Sequence, residues 1–541
     1  MARLGVGPDR ANATIALTRV LVADRLSPAA LAIFRDRGVE ADAKPGLSKE
    51  SLLEIVGNYD AIAVRSATKL TADVIGAAKS LKVIGRAGIG VDNIDVAAAT
   101  AAGVIVMNTP FGNSITTAEH TIALMMALAR DIPAANASTQ AGRWEKDRFV
   151  GTELSGKTLG VIGAGNIGSI VADRAHGLKM KVLAYDPYLS AERAATLGIE
   201  KLSLEDLLAR ADFVSLHVPL TAETRNIISA DAIARMKRGA RLVNCARGGL
   251  IDERALKAAL NSGHLKGAAL DVFEEEPATS SILFGDEKVI ATPHLGAASE
   301  EAQEKVAVQI AEQISDYLLT GAIANALNSP SISAEEAHVT GPWISLAEKL
   351  GAFAGQLAES GYDSVRILYE GTPARLNTAA LTQAALAGLL KPSLADVNLI
   401  NAPVRARERG VRISETRRDA EGAYEGYIRV AAESEGFARD VAGTVFSDGR
   451  PRLIQVKGIN LEAEFAAHML YVTNEDRPGF IGRLGTVLGD AQVNIASFAL
   501  GRSAPGADAI ALLEVDSEPG ENVLSTIRSL PLVRQVRTLA F

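Results

Sequence analysis

Gly163-Ala164-Gly165-Asn166-Ile167-Gly168 constrains this chain more than any other stretch. It follows an apolar run, Leu159-Gly160-Val161-Ile162, and precedes a helical pattern over 169–175. A strand, a glycine turn and a helix in that order leave few folds open. Gly163 permits the tight turn, Gly165 lets a backbone approach a pyrophosphate, and Gly168 lets helix and strand pack closely. The helix start then offers free N–H groups and partial positive charge to phosphates. A second apolar run ends in Ala184-Tyr185-Asp186, which puts an acid 18 residues beyond Gly168. An acid at that place accepts hydrogen bonds from the adenosine ribose and repels a 2′-phosphate, so NAD is the expected cofactor.

The runs at 159–162, 181–185, 213–216, 240–243, 267–270 and 289–291 give six strand candidates with helices between them, a doubly wound parallel sheet. Shorter strand–helix repeats fill 18–110, again a parallel sheet covered on both faces. A long helix is expected at 116–130, with Pro133 marking its end. A chain of 541 residues exceeds one core, and the pattern divides it accordingly. The expected units are 18–115 with 298–328, then 116–297, 331–460 and 468–541. The last reads as β-α-β-β-α-β, a ferredoxin-like outline.

A formal net charge of -8 argues against a nucleic-acid partner. The single cysteine, Cys245, excludes an intrachain disulfide and suits a reducing compartment. Residues 1–17 lack the apolar centre of a signal peptide, and the longest apolar run, 122–129, is too short to span a bilayer. A cytoplasmic protein with no membrane partner is expected. His120, His176, His217, His264, His338 and His468 lack metal-like spacing, so no metal is expected.

Three segments end predicted strands: 243–249 with Arg247, 270–277 with Glu276, and 291–296 with His294. Strand C-termini line the ligand crevice of an open α/β sheet. There His294 suits a general base for an alcohol proton, and Glu276 suits a partner that fixes its tautomer and favours the cation. Arg247 suits a bidentate clamp on a substrate carboxylate. Cys245 reads as a small residue lining the site rather than a nucleophile, since no base adjoins it in sequence.

Arg247-Gly248-Gly249 with Asp252, the Asp271-Val272-Phe273 run ending in Glu276-Pro277, and Pro293-His294-Leu295-Gly296 resemble the signatures of the D-isomer-specific 2-hydroxyacid dehydrogenases. The resemblance implies Arg247, Glu276 and His294 as the catalytic set. It also implies cofactor contacts from Asn166, Ile167, Asp186, Val218, Cys245, Asp271, Gly296 and Ala297, beside the three fingerprint glycines. The fold implied is a Rossmann-type domain inserted in a flavodoxin-like substrate domain, followed by an α+β intervening domain and an ACT domain.

Within that family, the stretches 64–69, 85–93 and 107–110 resemble the members that oxidise 3-phosphoglycerate at the head of L-serine synthesis. The implied substrate contacts are Arg65, Ser66, Gly88, Ile89, Gly90 and Asn108, with the amides of Gly88 and Gly90 exposed to a carboxylate as an anion nest. A basic cluster, Arg143, Lys146 and Arg148, either adds charge from a partner subunit or is a solvated loop. The family dimerises through this region, which implies a homodimer or homotetramer. Asn474, Asp476 and Asn494 match the ACT positions that hold an L-serine effector at a subunit interface. Arg405, Arg407 and Arg409 in the intervening domain read as a solvated charged strand. The competing readings are a glyoxylate or hydroxypyruvate reductase of the same family and an NAD-sensing binding protein without turnover.

Overall fold

The computed structural model describes residues 18–358, 361–419, 424–434 and 437–541, so the reading of residues 1–17 lies outside it. The first five strands are β1 (Arg19–Val22), β2 (Glu40–Ala43), β3 (Ala61–Val64), β4 (Val83–Arg86) and β5 (Ile105–Asn108). They form a parallel sheet in the order β2-β1-β3-β4-β5, which is flavodoxin-like. Both faces are covered, so β3 and β5 are wholly buried without alternation, apolar throughout in β3 and up to Asn108 in β5. One cover comes from far along the chain. The helix Glu300–Thr320 lays Val306, Ile310 and Ile314 into the same core as Val20, Phe34 and Ile105. Gly85 on β4 makes the contact possible, because a Cβ there would lie 2.5 Å from Ile314.

A second parallel sheet follows, with β6 (Thr158–Ile162), β7 (Lys181–Tyr185), β8 (Glu200–Lys201), β9 (Phe213–Leu216), β10 (Ala240–Asn244), β11 (Leu265–Leu270) and β12 (Val289–Ala291). Its order is β12-β11-β10-β9-β6-β7-β8, and the strand order reverses at β6 beside β9, where such sheets open a crevice. The sequence suggests six strands; the seventh, β8, is two exposed residues and carries no apolar signal. The helix Ser114–Ala129 crosses from the first sheet and packs on β10 and β11. Pro133 does not end it. The helix stops at Ala129, Asp131 turns left-handed, and Pro133 opens the next helix, Ile132–Gln140, where a missing N–H costs little.

The third sheet holds β13 (Ser364–Gly371), β14 (Arg412–Arg418), β15 (Gly426–Ser434), β16 (Phe437–Val445), β17 (Pro451–Val456) and β18 (Ile459–Glu464), in the order β14-β13-β15-β16-β17-β18. Only the β13–β14 pair is parallel. Helices Ala334–Gln356 and Thr378–Leu390 cover it and meet so closely that a Cβ on Gly388 would fall 1.9 Å from the Glu348 carbonyl. Arg405 and Arg407 are on a helix, Ala402–Glu408, and not on a strand, with Arg409 at its C-terminal cap. Pro403 starts that helix and arginine is a good helix former, so local preference decides there.

The last sheet, β19 (Met469–Glu475), β20 (Ile495–Arg502), β21 (Asp508–Val515) and β22 (Val533–Leu539), is antiparallel in the order β20-β21-β19-β22. Helices Phe480–Asp490 and Glu521–Arg528 complete the β-α-β-β-α-β order. One face of this sheet, with Tyr471, Ile510, Leu512 and Leu539, shares a core with Phe353 of the long helix before it. Phe541 stacks on Phe353, and Gln356 exchanges two hydrogen bonds with the Ala540 backbone. The last two units are therefore packed as one body. Among the described residues no helix is long and apolar enough to cross a membrane.

Candidate active site

The loop after β10 is folded by Asn244, whose side chain accepts the Ala246 N–H at 3.0 Å and donates to the Arg247 carbonyl at 2.9 Å. Gly248 must be glycine, because a Cβ would sit 1.7 Å from the Phe273 carbonyl of the neighbouring loop. Arg247 leaves this sheet and reaches the first one. Its Nε donates to Asp92 Oδ2 at 2.9 Å, and its Nη2 lies 1.7 Å from where a Cβ on Gly90 would be. The guanidinium thus sits on the glycine loop that follows β4, between the two sheets.

That loop departs from the expectation at one point. The Gly88 N–H is not open to a ligand: Gly88 is buried with φ +139 and donates to the buried Thr109 hydroxyl at 2.7 Å. The amides of Ile89 and Gly90 remain as candidates for an anion. Asn108 supports the loop by donating to the Ile89 carbonyl at 2.6 Å. Arg65 is anchored by its own N–H on Asp24 at 2.6 Å, while its Nη1 makes a long contact, 3.5 Å, to Gln303. Ser66 beside it is exposed.

Arg86, at the end of β4, is a residue the sequence reading passed over. Burial pushes its pKa down to about 10, and repulsion from Arg247 and Arg65 adds to this, against attraction from Asp92 and Asp24. Its buried Nε has no partner among the described residues. Three guanidiniums, Arg65, Arg86 and Arg247, therefore feel one another's charge at one place. An arginine closing a buried apolar strand beside glycines was the available signal.

His294 and Glu276 meet as the sequence suggests. His294 Nδ1 is 2.6 Å from Glu276 Oε2, and Glu276 Oε1 accepts the Phe273 N–H at 3.1 Å. Burial raises the Glu276 carboxyl, but the hydrogen bond and charge of His294 outweigh it and hold the group below its ordinary value. With Nδ1 occupied, Nε2 is the nitrogen left to face a reacting hydroxyl. His294 has φ +57, a left-handed conformation that a non-glycine residue holds only under constraint.

Asp271 supplies that constraint. It is fully buried; Oδ1 accepts from Thr292 Oγ1 and the Leu295 N–H, and Oδ2 accepts from the Gly296 N–H. Its carboxylate is thus engaged with the His294 loop. His120, Cys245 and Asp271 place one ligand-type atom each within 4.8 Å of one another, a cluster that spacing along the chain did not reveal. The Cys245 thiol is pushed up to about 12 by burial, with Thr121 bonding against the rise and Asp271 adding to it. A protonated thiol beside a saturated carboxylate is a poor ligand pair.

At the glycine turn, Gly163 has φ +93 and no room for a Cβ, which would lie 2.7 Å from the His217 carbonyl and from Val218. Gly168 is closed by the Gly163 carbonyl, 2.0 Å from its would-be Cβ. Gly165 is different: nothing lies within 4 Å, so its small size serves no internal packing. This fits a turn whose outer side receives a dinucleotide. Asn166 begins the helix Asn166–Gly177, exposed, and Ile167 is half-buried behind it. Asp186 stands at the turn, accepting the N–H groups of Ala164 at 2.9 Å and Tyr188 at 2.8 Å. Ala297 is half-buried after Gly296 on the His294 loop.

The three expected effector residues do not converge within one chain. Asn474 pairs with Ala509 and Ile495 with Val515, so Asn494 lies roughly 20 Å along β21 from Asn474. Asp476 is held by Arg502 at 2.9 Å and Asn494 by Asp516 at 2.9 Å, while the buried Asn474 Oδ1 has no partner among the described residues. In the basic cluster, Arg148 binds both Glu287 oxygens, and Arg143 pairs with Glu145. Between them Trp144 is 87% exposed.

Three family models match the chain: the D-isomer specific 2-hydroxyacid dehydrogenase NAD binding domain over 122–296, the D-3-phosphoglycerate dehydrogenase intervening domain over 339–457, and the ACT domain over 468–532. D-3-phosphoglycerate dehydrogenase from Synechocystis is 43% identical over 97% of this chain and 95% of its own length. The enzyme of the same name from Methanocaldococcus jannaschii is also 43% identical, over 97% of this chain and all of its own. Among solved structures, D-lactate dehydrogenase from Aquifex aeolicus, complexed with NAD and lactic acid, is similar at 27% identity and a TM-score of 0.52, over 58% of this chain and all of that one.

Proposed function

The chain belongs to the D-3-phosphoglycerate dehydrogenases of the D-isomer specific 2-hydroxyacid dehydrogenase family, and on that premise we propose how its residues perform the reaction. It is an NAD-dependent dehydrogenase that oxidises the C2 hydroxyl of 3-phosphoglycerate to 3-phosphohydroxypyruvate, the first step of L-serine synthesis. Its NAD-binding domain is 116–297, inserted in a substrate domain of 18–115 and 298–328; an intervening domain of 331–460 and an ACT domain of 468–541 follow.

Gly163, Gly165 and Gly168 would hold NAD, with Asp186 at its ribose, and the bound cofactor would supply the hydride acceptor. Ile167, Val218, Cys245, Gly296 and Ala297 would line its path. Asp271 shapes that path through the loop it anchors. Arg247 binds the substrate carboxylate and polarises the C2 oxygen, with the Ile89 and Gly90 amides beside it. His294 Nε2 takes the hydroxyl proton as the C2 hydride leaves, so one proton and one hydride depart together. Glu276 stabilises the imidazolium that results. Arg65, Ser66 and Arg86 face the phosphate. A lone carboxylate does not call for three guanidiniums; a dianionic phosphate with a carboxylate does.

The observation that carries this reading is the gathering of Arg65, Arg86 and Arg247 about the 88–90 loop, together with the His294–Glu276 pair. The test follows NADH absorbance with 3-phosphoglycerate, glycerate and lactate in parallel. Preference for 3-phosphoglycerate supports the reading. Equal turnover of glycerate favours a reductase of unphosphorylated acids, and no turnover favours an NAD-sensing protein.

The working unit is a homodimer or homotetramer in a cytoplasmic setting. Exposed Trp144 and Val150 suit a subunit contact. If L-serine is an effector, Asn474 and Asp476 of one copy would hold it with Asn494 of another, since one chain cannot bring the three together.

A further inference from the structure

His120 takes no part in the reaction as written, yet it touches the group on which the His294 loop depends. It lies on the helix Ser114–Ala129, and its Nε2 is 3.2 Å from Asp271 Oδ1 and 3.4 Å from Thr292 Oγ1. Asp271 is a fully buried carboxylate, and among the described residues no lysine or arginine is bonded to it. With His120 Nε2 at 3.2 Å, its hydrogen-bond donors are the Thr292 hydroxyl at 2.6 Å, and the N–H groups of Leu295 and Gly296 at 2.8 Å each. The last two donors belong to the loop that carries His294. The His294 N–H itself returns to the Asp271 carbonyl at 2.9 Å. The same helix grips the loop again through Thr117, whose hydroxyl donates to the Gly296 carbonyl at 2.8 Å.

We propose that His120 is a positioning residue for His294, acting through Asp271. Its N–H completes the solvation of the buried carboxylate, which then holds residues 292–296 in the left-handed turn that presents the imidazole. A buried carboxylate that loses one donor loosens its hold on the others. Neither Glu276 nor any of the three substrate arginines is bonded to His120, so substrate binding is insulated from its loss. The inference rests on the proposed role of His294 as base.

The test compares wild type, His120→Phe, which removes the donor, and His120→Gln, which restores one, all in the full chain. Their kcat, their KM for 3-phosphoglycerate and the His294 imidazole resonance are measured, the resonance being assigned by its absence in His294→Ala. His120→Phe should lower kcat about 10- to 100-fold at a KM within about 2-fold, and His120→Gln should return kcat to within about 3-fold. The His294 resonance should move in the phenylalanine variant and return in the glutamine variant. Should His120→Phe fail to fold, His120→Ala takes its place. An unmoved kcat and resonance overturn the proposal, and so does a glutamine variant as impaired as the phenylalanine one. If wild type does not oxidise 3-phosphoglycerate, the proposed function fails instead, and the resonance comparison still decides the positioning.

Discussion

Gly90→Ala separates the chemistry of the cleft from its stability. The backbone at Gly90 is outside the left-handed region, so alanine is allowed there on conformational grounds. Its Cβ, however, would fall 1.7 Å from Arg247 Nη2 and 2.9 Å from Asp92 Oδ2. The guanidinium must retreat by roughly 1.3 Å to reach a tolerable contact distance. The obstacle is the far end of a flexible side chain, so the fold can absorb the change. What is lost is the Arg247–Asp92 pair, whose partners are 27% and 67% exposed, worth at most about 1 kcal/mol. Catalysis is less forgiving, since misplacing a binding group by about 1 Å costs on the order of 100-fold, or about 2.7 kcal/mol of barrier. Steady-state kinetics with 3-phosphoglycerate and a thermal melt on the same preparation provide the assay. The expected outcome is a kcat/KM loss near that size, a small change in melting temperature and an unchanged NAD affinity. A kcat/KM within about 3-fold of wild type would show that Arg247 does not need its observed place.

Two further outcomes follow from individual groups. Asp186→Ala should erode the preference for NAD over NADP, measured as the ratio of kcat/KM values; an unchanged ratio removes Asp186 from the ribose. Burial lowers the His217 pKa to about 4 from 6.5, so the unfolded chain binds the extra proton first as pH falls. Stability from this group is present above 6.5 and is lost between 6.5 and 4. Between pH 7 and pH 5 the loss should be about 1–2 kcal/mol, and His217→Gln should remove that slope from the melting curves.

Much of this was legible in the sequence because the signals are local. The glycine turn, Asp186 and the three strand-end segments announce themselves within a few residues, and the His294–Glu276 bond follows from both loops leaving one sheet edge. What escaped was decided by burial and by contacts across the chain. Strand β8 is two exposed residues, with nothing to alternate. Arg86 falls within the 85–93 stretch, but that it feels the charge of two other guanidiniums depends on how the first sheet meets Arg247. Gly88 read as an open amide because glycines suggest a nest, and the Thr109 hydroxyl that takes its N–H lies on another loop. His120, Cys245 and Asp271 come from three separate segments, so no spacing could join them.

The central claim is that His294 performs proton transfer at a site where NAD binds independently of it. A single-turnover measurement on NAD-saturated His294→Ala, mixed with 3-phosphoglycerate and followed by NADH absorbance, addresses this most directly. NADH formation should slow by on the order of 100- to 10,000-fold while the NAD dissociation constant stays within about 2-fold of wild type. A wild-type rate in that variant would contradict the account.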